Sequence, residues 1–458
     1  MRVIICGVGQ VGKSLAEYLS GENNDVTVID SSPGLISEIQ DELDLKAIVG
    51  HASDPNTLKK AGASDADLII AVTDCDEVNM VACQVGHSLF GIPKKIARIR
   101  NQCYLDPSWS NLFSRSHMPI DVIVSPEILV AQEIYQRLSV PGTTTVIKLG
   151  EGKAHLIGLV CLEDCPLLNT NLGQLDNLFP DISFRVVSIY RNNKTIIPDN
   201  NDMLQVGDEA YVILDSKHLR RVLGAFGHLE KEARKIIISG GGNIGMSLVQ
   251  FLKKHVYGLD IRMIERRAER ARYLSENLEN VVILQGDTLD RYILEEASIQ
   301  TSETFVALMN DDESNILGSL LAKQYGCGRV ITLVNNTAYY PLVGPLGIDV
   351  MISPKSIIVA NIMQHVRRGR IKGLYTLRDG SLEAMEAEIS DSSAIANTLV
   401  EDLDLHREVV LGAIIRGSEV ILPTPETELR PNDHVIFLST REHASEVEKL
   451  FSVQVDFF

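Results

Sequence analysis

The sequence predicts an α/β fold built twice: two doubly wound parallel-sheet lobes, each followed by a small α+β lobe. Three observations carry this expectation. The glycine-rich stretch Gly7-Val8-Gly9-Gln10-Val11-Gly12 joins the apolar run Val3-Ile4-Ile5-Cys6 to a helical pattern with Val11, Leu15 and Leu19 four residues apart. The arrangement returns where Ile236-Ile237-Ile238-Ser239 runs into Gly240-Gly241-Gly242-Asn243-Ile244-Gly245. Each copy precedes a second strand that ends in an acid, Asp30 in the first and Glu265 in the second. Strand, glycine turn and helix form the Rossmann-like geometry that cradles a phosphate at a helix N-terminus. Gly7 allows the tight turn, Gly9 lets backbone approach a pyrophosphate, and Gly12 lets helix and strand pack closely.

Composition narrows the field. The 458 residues suggest about three domains by length alone. A net charge of −18 disfavours nucleic acid as a partner. The seven cysteines are scattered, Cys161 and Cys165 being the closest pair, and no CxxC occurs. This pattern reads as reduced thiols of a cytoplasmic protein. Met1-Arg2 enters a strand directly, with no signal-peptide pattern, and no apolar run approaches the ~20 residues that span a bilayer.

In chain order, Ser31-Ser32-Pro33 starts a helix whose apolar face is expected at Leu35, Ile39 and Leu43. Ala47-Ile48-Val49 is a third strand, and Pro55 opens a short helix. Leu68 to Thr73 is a fourth strand, nearly all apolar, as in a sheet covered on both faces. A helix over about 77–90, strands at Ile96–Arg100 and Val122–Val124, and a helix from Ser125 carrying Ile128, Leu129, Tyr135 and Leu138 complete the first large lobe. Short strands follow, with a hairpin at Asn192-Asn193-Lys194 and a turn at Val206–Glu209. A charged link from Glu230 to Lys235 leads to the second cradle.

The second half repeats the first. Gly50-His51-Ala52-Ser53-Asp54 returns as Gly286-Asp287-Thr288-Leu289-Asp290, and Asp76-Glu77-Val78-Asn79 as Asp312-Glu313-Ser314-Asn315. Val124-Ser125-Pro126 returns as Ile352-Ser353-Pro354. Tyr190-Arg191 through Asp208 matches Ile415-Arg416 through Asp433 without a gap. The expected division is 1–124, first nucleotide-binding lobe; 125–140, crossover helix; 141–228, first small lobe; 232–352, 353–370 and 371–458, their second copies.

The chemistry-bearing residues each have a functional and a structural reading. Asp30 suits two free ribose hydroxyls, hence NAD or adenosine rather than a 2′-phosphate, or it is a turn acid. Asp54 is a ligand contact or the N-cap of the next helix. Thr73-Asp74 ends strand four where ligands sit in open α/β sheets. Arg98 on strand five needs an anion, a nucleotide phosphate or a structural carboxylate. Read along the chain, Thr73, Asp74 and Arg98 become Met309, Asn310 and Thr332. His365-Val366-Arg367-Arg368-Gly369-Arg370 closes a helix, as a partner contact or as cations at a helix C-terminus. His155, His218, His406 and His434 do not recur between the copies, and no nucleophile elbow, HExxH or metal-ligand cluster is expected.

Taken together, the first glycine turn with Asp30, Gly50-His51-Ala52-Ser53, Ala82-Cys83-Gln84-Val85, the second glycine turn and His365-Val366-Arg367-Arg368 resemble the peripheral regulatory subunits of bacterial Trk potassium uptake systems. The resemblance covers essentially the whole chain. It implies tandem RCK domains (regulators of potassium conductance), each with an N and a C lobe. It implies a non-enzymatic cytoplasmic protein, peripheral on the inner face of the cell membrane, that gates a membrane potassium-translocating subunit. It also implies NAD(H) binding, with ATP or ADP in some members, and a homotetrameric ring. Carried over by motif, Gly7, Val8, Gly9, Gln10, Val11, Asp30, Thr73, Asp74 and Arg98 line the first site, with Asp54 beside them. Gly240, Gly241, Gly242, Asn243, Ile244 and Glu265 line the second, with Asp287 beside them. The alternatives are an NAD-dependent oxidoreductase, which needs an acid/base residue at the nicotinamide end, and a soluble nucleotide sensor with a non-membrane partner.

Overall fold

The computed structural model describes all residues except 22–23, 193, 231, 367–370, 378–380 and 452–458. The first large lobe contains β1 (Arg2–Cys6), α1 (Gln10–Gly21), β2 (Asp25–Asp30), α2 (Pro33–Glu42), β3 (Lys46–Val49), α3 (Pro55–Lys60), β4 (Leu68–Ala71), α4 (Asp76–Phe90), β5 (Lys94–Arg98) and β6 (Val122–Val124). Its strands are parallel in the order β3-β2-β1-β4-β5-β6, the doubly wound arrangement. Helix α5 (Pro126–Ser139) leads into the first small lobe. This comprises β7 (Thr143–Leu149), β8 (Ala154–Val160), α6 (Leu175–Leu178), β9 (Phe184–Arg191), β10 (Lys194–Ile196), β11 (Glu209–Asp215) and α7 (Leu219–Ala225), with an antiparallel sheet ordered β10-β9-β11-β8-β7.

The second half has the same topology. It runs β12 (Lys235–Ser239), α8 (Asn243–His255), β13 (Asp260–Glu265), α9 (Ala268–Asn277), β14 (Val282–Gln285), α10 (Arg291–Glu296), β15 (Thr304–Ala307), α11 (Asp312–Gln324), β16 (Arg329–Leu333), α12 (Tyr340–Val343) and β17 (Val350–Ile352). Then come α13 (Pro354–Val366), β18 (Ile371–Leu377), β19 (Leu382–Glu388), β20 (Val409–Arg416), β21 (Glu419–Ile421), β22 (His434–Thr440) and α14 (Ala444–Leu450). Its sheets are ordered β14-β13-β12-β15-β16-β17 and β18-β19-β22-β20-β21.

The two halves exchange their crossover helices. Val130, Ala131, Ile134 and Leu138 of α5 pack on Leu248, Val249 and Leu252 of α8, within the core of the second large lobe. Ile358, Ile362, Met363 and Val366 of α13 enter the core of the first large lobe beside Leu15 and Leu19 of α1. Polar contacts fasten each helix end. Lys94 donates to the carbonyl of His365, while Arg329 donates to those of Arg137 at 3.0 Å and Thr143 at 2.9 Å. The small lobes also pack on each other, burying Leu156, Val187 and Ile213 against Leu382, Ile415 and Leu438.

Several local expectations shift. Helix α2 buries Ile36 and Ile39 while Leu35 is 36% exposed, because its sheet-facing stripe lies one residue further on. Helix α5 buries Val130, Ala131 and Ile134 with Leu138, since the surface it meets is α8 rather than its own sheet. Strand β5 ends at Arg98, because the Asp76 carboxylate takes the amides of Arg100 and Asn101 and stops the ladder. Of the basic cluster after His365, Arg367, Arg368 and Arg370 lie outside the described residues.

Candidate functional site

The first glycine turn is built by sterics. Gly7 has φ +99°, and a Cβ there would come within 2.9 Å of the Thr73 backbone. A Cβ on Gly12 would meet the Gly7 carbonyl oxygen at 1.8 Å. Beside Gly9 there is open space, on the side where a ligand backbone contact belongs. Asp30 clasps this turn: Oδ2 accepts from the Val8 amide at 2.7 Å and Oδ1 from the Ser32 amide at 2.8 Å. Carboxylate oxygens keep further lone pairs for a ribose hydroxyl, so the turn-acid and ligand readings coexist in one side chain.

The opposite wall is set by buried Asn79. Its Oδ1 accepts from the Thr73 amide, and its Nδ2 donates to the carbonyls of Thr73 and Arg98. The ends of β4 and β5 are thereby locked together. Arg98 is half-buried; one Nη donates to the Thr73 carbonyl at 2.6 Å, while Nε is buried with no partner. Burial, then the nearby Arg100 charge, hold its guanidinium below its ordinary pKa range. Arg98 has no salt bridge among the described residues. Its neighbour Arg100 pairs with buried Glu127 at 3.2 Å.

These groups line one cavity of about 920 Å³. Gly7, Gly9, Gln10, Val11, Asp30, Thr73, Asp74 and Arg98 all contribute. Val8 is buried beneath it, its amide held by Asp30. Asp54 caps α3 through the Asn56 and Thr57 amides and is not among the lining residues. The second half closes the cavity with Ile244, Met309, Asn310, Leu333, Asn335 and Lys355. Lys355 occupies in the second copy the position of Glu127 in the first, and it has no ion pair among the described residues.

The second cradle repeats the backbone and the acid but not the strand arginine. Gly240 has φ +104° and Gly245 approaches the Gly240 carbonyl as Gly12 approaches Gly7. Glu265, buried, accepts from the Gly241 amide at 3.1 Å and the Arg267 amide at 2.9 Å. Arg270 lies across the turn, donating to the Gly241 carbonyl at 2.7 Å and to Asn243 Oδ1 at 3.5 Å. Gly242 faces open space, and exposed Asp287 accepts from the Leu289 amide. Ile244 reaches into the first cavity instead.

The register corrects one correspondence. Ala71 pairs with Ala97 and Ala307 with Thr332, so Thr332 stands where Ala97 does. Arg98 pairs with Val124 and Leu333 with Ile352. The counterpart of Arg98 is therefore Leu333, whose carbonyl receives Asn315 Nδ2 as that of Arg98 receives Asn79. Helix α4 has 15 residues and α11 has 13, which displaces the count along the chain. A leucine cannot meet an anion, so the second site is apolar where the first is cationic.

Sequence reading passed over Arg100, Glu127, Arg270 and Lys355. Glu127 and Lys355 were open to detection, because both follow the repeated Ser-Pro pair. Arg270 carried no local signal; α9 brings it back over the turn.

Duplicated α/β lobes with swapped crossover helices and a cradle at their seam define a tandem RCK-type regulatory protein. The TrkA-N domain model matches residues 3–126 and 236–354, and the TrkA-C domain model residues 156–227 and 384–452. The Trk system potassium uptake protein TrkA of Azorhizobium caulinodans is 45% identical, covering 100% of both chains. That of Halomonas elongata is 39% identical, again over 100% of both. The GsuK channel bound to NAD shares the fold, with TM-score 0.61 and 17% identity over 98% of this chain and 78% of that one. A structure of GsuK bound to ADP aligns with TM-score 0.50 and 15% identity over 79% of this chain and 68% of that one. The chain belongs to the Trk system potassium uptake protein TrkA family, whose members are regulatory subunits of potassium uptake rather than enzymes. No described helix is long and apolar enough to cross a membrane.

Proposed function

We propose that this chain senses a nucleotide in the first cavity and passes its occupancy to a membrane potassium-translocating subunit. The observation that carries the reading is Arg98, a half-buried guanidinium with an unpartnered Nε, facing the same cavity as the glycine turn and Asp30. In this reading NAD(H) lies with its adenosine ribose on Asp30 and its pyrophosphate on the Gly9–Val11 amides, near Arg98. ADP or ATP shares the adenosine and competes. The free charge at Lys355 and the ion-paired Arg100 stand ready for additional phosphate. The second cradle, with Leu333 for Arg98, binds more weakly or stays empty.

Because second-half residues close the cavity, a ligand there contacts both large lobes. It shifts their relative orientation only by its differential affinity for the two arrangements. Family membership supports a potassium-translocating membrane partner, attachment to the inner face of the membrane, and a homotetrameric ring.

The test uses the full chain. Calorimetric titration with NADH and with ADP is expected to show one strong site. Asp30→Ala and Arg98→Ala each remove a charge-assisted contact and weaken it by about 1.5–3 kcal/mol, roughly ten- to a hundredfold. Potassium uptake in cells lacking their own subunit is the second measurement. An Asp30→Ala chain that binds no nucleotide yet restores normally regulated uptake would overturn the sensing role.

A further inference from the structure

A cluster of metal-ligand side chains lies far along the chain from the nucleotide cavity, in the second small lobe. His406 and Glu408 precede β20, and His443 ends the short turn between β22 and α14. One potential ligand atom from each lies within 4.8 Å of the others. The imidazoles of His406 and His443 are stacked, with centroids 3.9 Å apart and planes 9° from parallel. Glu408 Oε2 lies 3.4 Å from His443 Nδ1. We propose that His406, Glu408 and His443 bind a late first-row divalent cation, zinc being the best match.

The donor set selects the metal. Two imidazoles and one carboxylate are a mixed nitrogen and oxygen set, whereas magnesium and calcium take oxygen ligands. Zinc binds such groups at about 2.0–2.2 Å, with water free to complete a tetrahedron. Ligand atoms within 4.8 Å therefore need to contract by up to about 1.5 Å, and the rings must tilt out of their stack. His406 is exposed, so its rotation gives up only the stack on His443 and the bond its Nδ1 accepts from the Glu408 amide at 3.2 Å. Glu408 is already oriented: the Thr440 hydroxyl donates to Oε2 at 2.9 Å. A hydrogen-bonded partner that fixes a ligand carboxylate is a recurring support of metal sites.

The duplication supplies an internal comparison. Strands β11 and β22 correspond residue for residue, which places His218 where His443 stands. The position before β9 is Ser183, where Glu408 precedes β20, and the place of His406 is taken by Asp181. His218 Nδ1 accepts from the Ser183 amide at 3.0 Å, a purely structural bond. One histidine thus does recur between the copies, contrary to the sequence reading, and only the second copy surrounds it with a carboxylate and another imidazole. The ion would tie the start of β20 to the β22–α14 junction.

The experiment is equilibrium dialysis of the full chain against buffered zinc, with cobalt substitution as a spectroscopic report of four-coordinate geometry. The wild-type chain is expected to hold one zinc that His406→Ala loses, and its cobalt form to show the intense visible bands of a tetrahedral site. Thr440→Val, which keeps all three ligands, is expected to weaken binding about 10- to 100-fold. His218→Ala is the control and should leave zinc binding unchanged. A folded His406→Ala chain that holds as much zinc as wild type, or a wild-type chain that holds none, would overturn the proposal. Magnesium or calcium binding at the same residues in place of zinc would also overturn it.

Discussion

His155 shows how burial turns a titratable side chain into a stability determinant. It lies on β8, 8% exposed, with Nδ1 2.7 Å from the Ser216 hydroxyl. Burial, then the nearby Lys148 charge, push its pKa from 6.5 down to about 4. The unfolded imidazole takes a proton near pH 6.5, but the folded one resists until about pH 4. Between these values the unfolded chain binds more protons, so this contribution is complete above pH 6.5 and fades as pH falls towards 4. At pH 5 the expected loss is on the order of 2 kcal/mol. Hydrogen exchange of the β8 and β11 amides at pH 7.5 and pH 5 measures it locally, which suits a chain of several lobes. His155→Gln should flatten the pH dependence; equal losses in both proteins would count against the assignment. At this scale sequence reading worked where a role is local. Gly12 and Asp30 act on the glycine turn between β1 and α1, so their spacing revealed them, whereas the Thr73 backbone that crowds Gly7 comes from the end of β4. The counterpart of Arg98 was missed by one residue, because only β-pairing, not counting across helices of unequal length, identifies Leu333.

Between elements, the repeats that looked like motifs prove to be clamps. Arg191 holds Asp208 with Nε at 2.7 Å and Nη2 at 2.6 Å, and Arg416 holds Asp433 at 2.8 and 2.7 Å. Each aspartate also accepts from the amide three residues before it, Gln205 or Arg430. Each arginine reaches the crossing loop, at the carbonyl of Met203 or Glu428. The spacing was plain in the sequence, but its purpose was not, since the pair spans two strands and a long loop. Asp208 is 1% exposed, so removing its arginine strands a buried charge. Arg191→Ala should cost about 3 kcal/mol, the low end for a broken buried pair because the arginine is partly exposed. A Leu pair at 191 and 208 should recover part of this, and loss of protection at β9 and β11 in hydrogen exchange is the readout. If Arg191→Ala leaves those amides as protected as in wild type, the clamp carries no local stability.

For the whole molecule, the exchange of crossover helices explains why the two units are fused, and it was invisible to a linear reading. The stripe on α5 announced burial but not its partner. Leu248, Val249 and Leu252 on α8 occupy the turns that Leu15, Ala16 and Leu19 occupy on α1. The surface α5 needs is thus present, in near-copy, on its own half. Residues 1–228 produced alone would expose Val130, Ile134 and Leu138, whose burial is worth about 5–9 kcal/mol gross. They would also leave the α1 face without Ile358, Ile362 and Met363. One symmetric pairing satisfies both deficits: two half-chains, each lending α5 to the other's α1. We therefore expect the half-chain to be a dimer by light scattering, and Ile134→Glu to abolish that dimer without disturbing the small lobe. A stable monomer, with α5 protected in hydrogen exchange, would mean that α5 can fold back on its own lobe. The helix swap would then be a consequence of fusion rather than a requirement of the fold. In the dimer both cradles would carry Asp30 and Arg98, and both Ser-Pro pairs would be followed by Glu127. The fused chain departs from that symmetry at Leu333 and Lys355, so its seam cavity carries Arg98 on one side only, where the half-chain dimer would carry it on both.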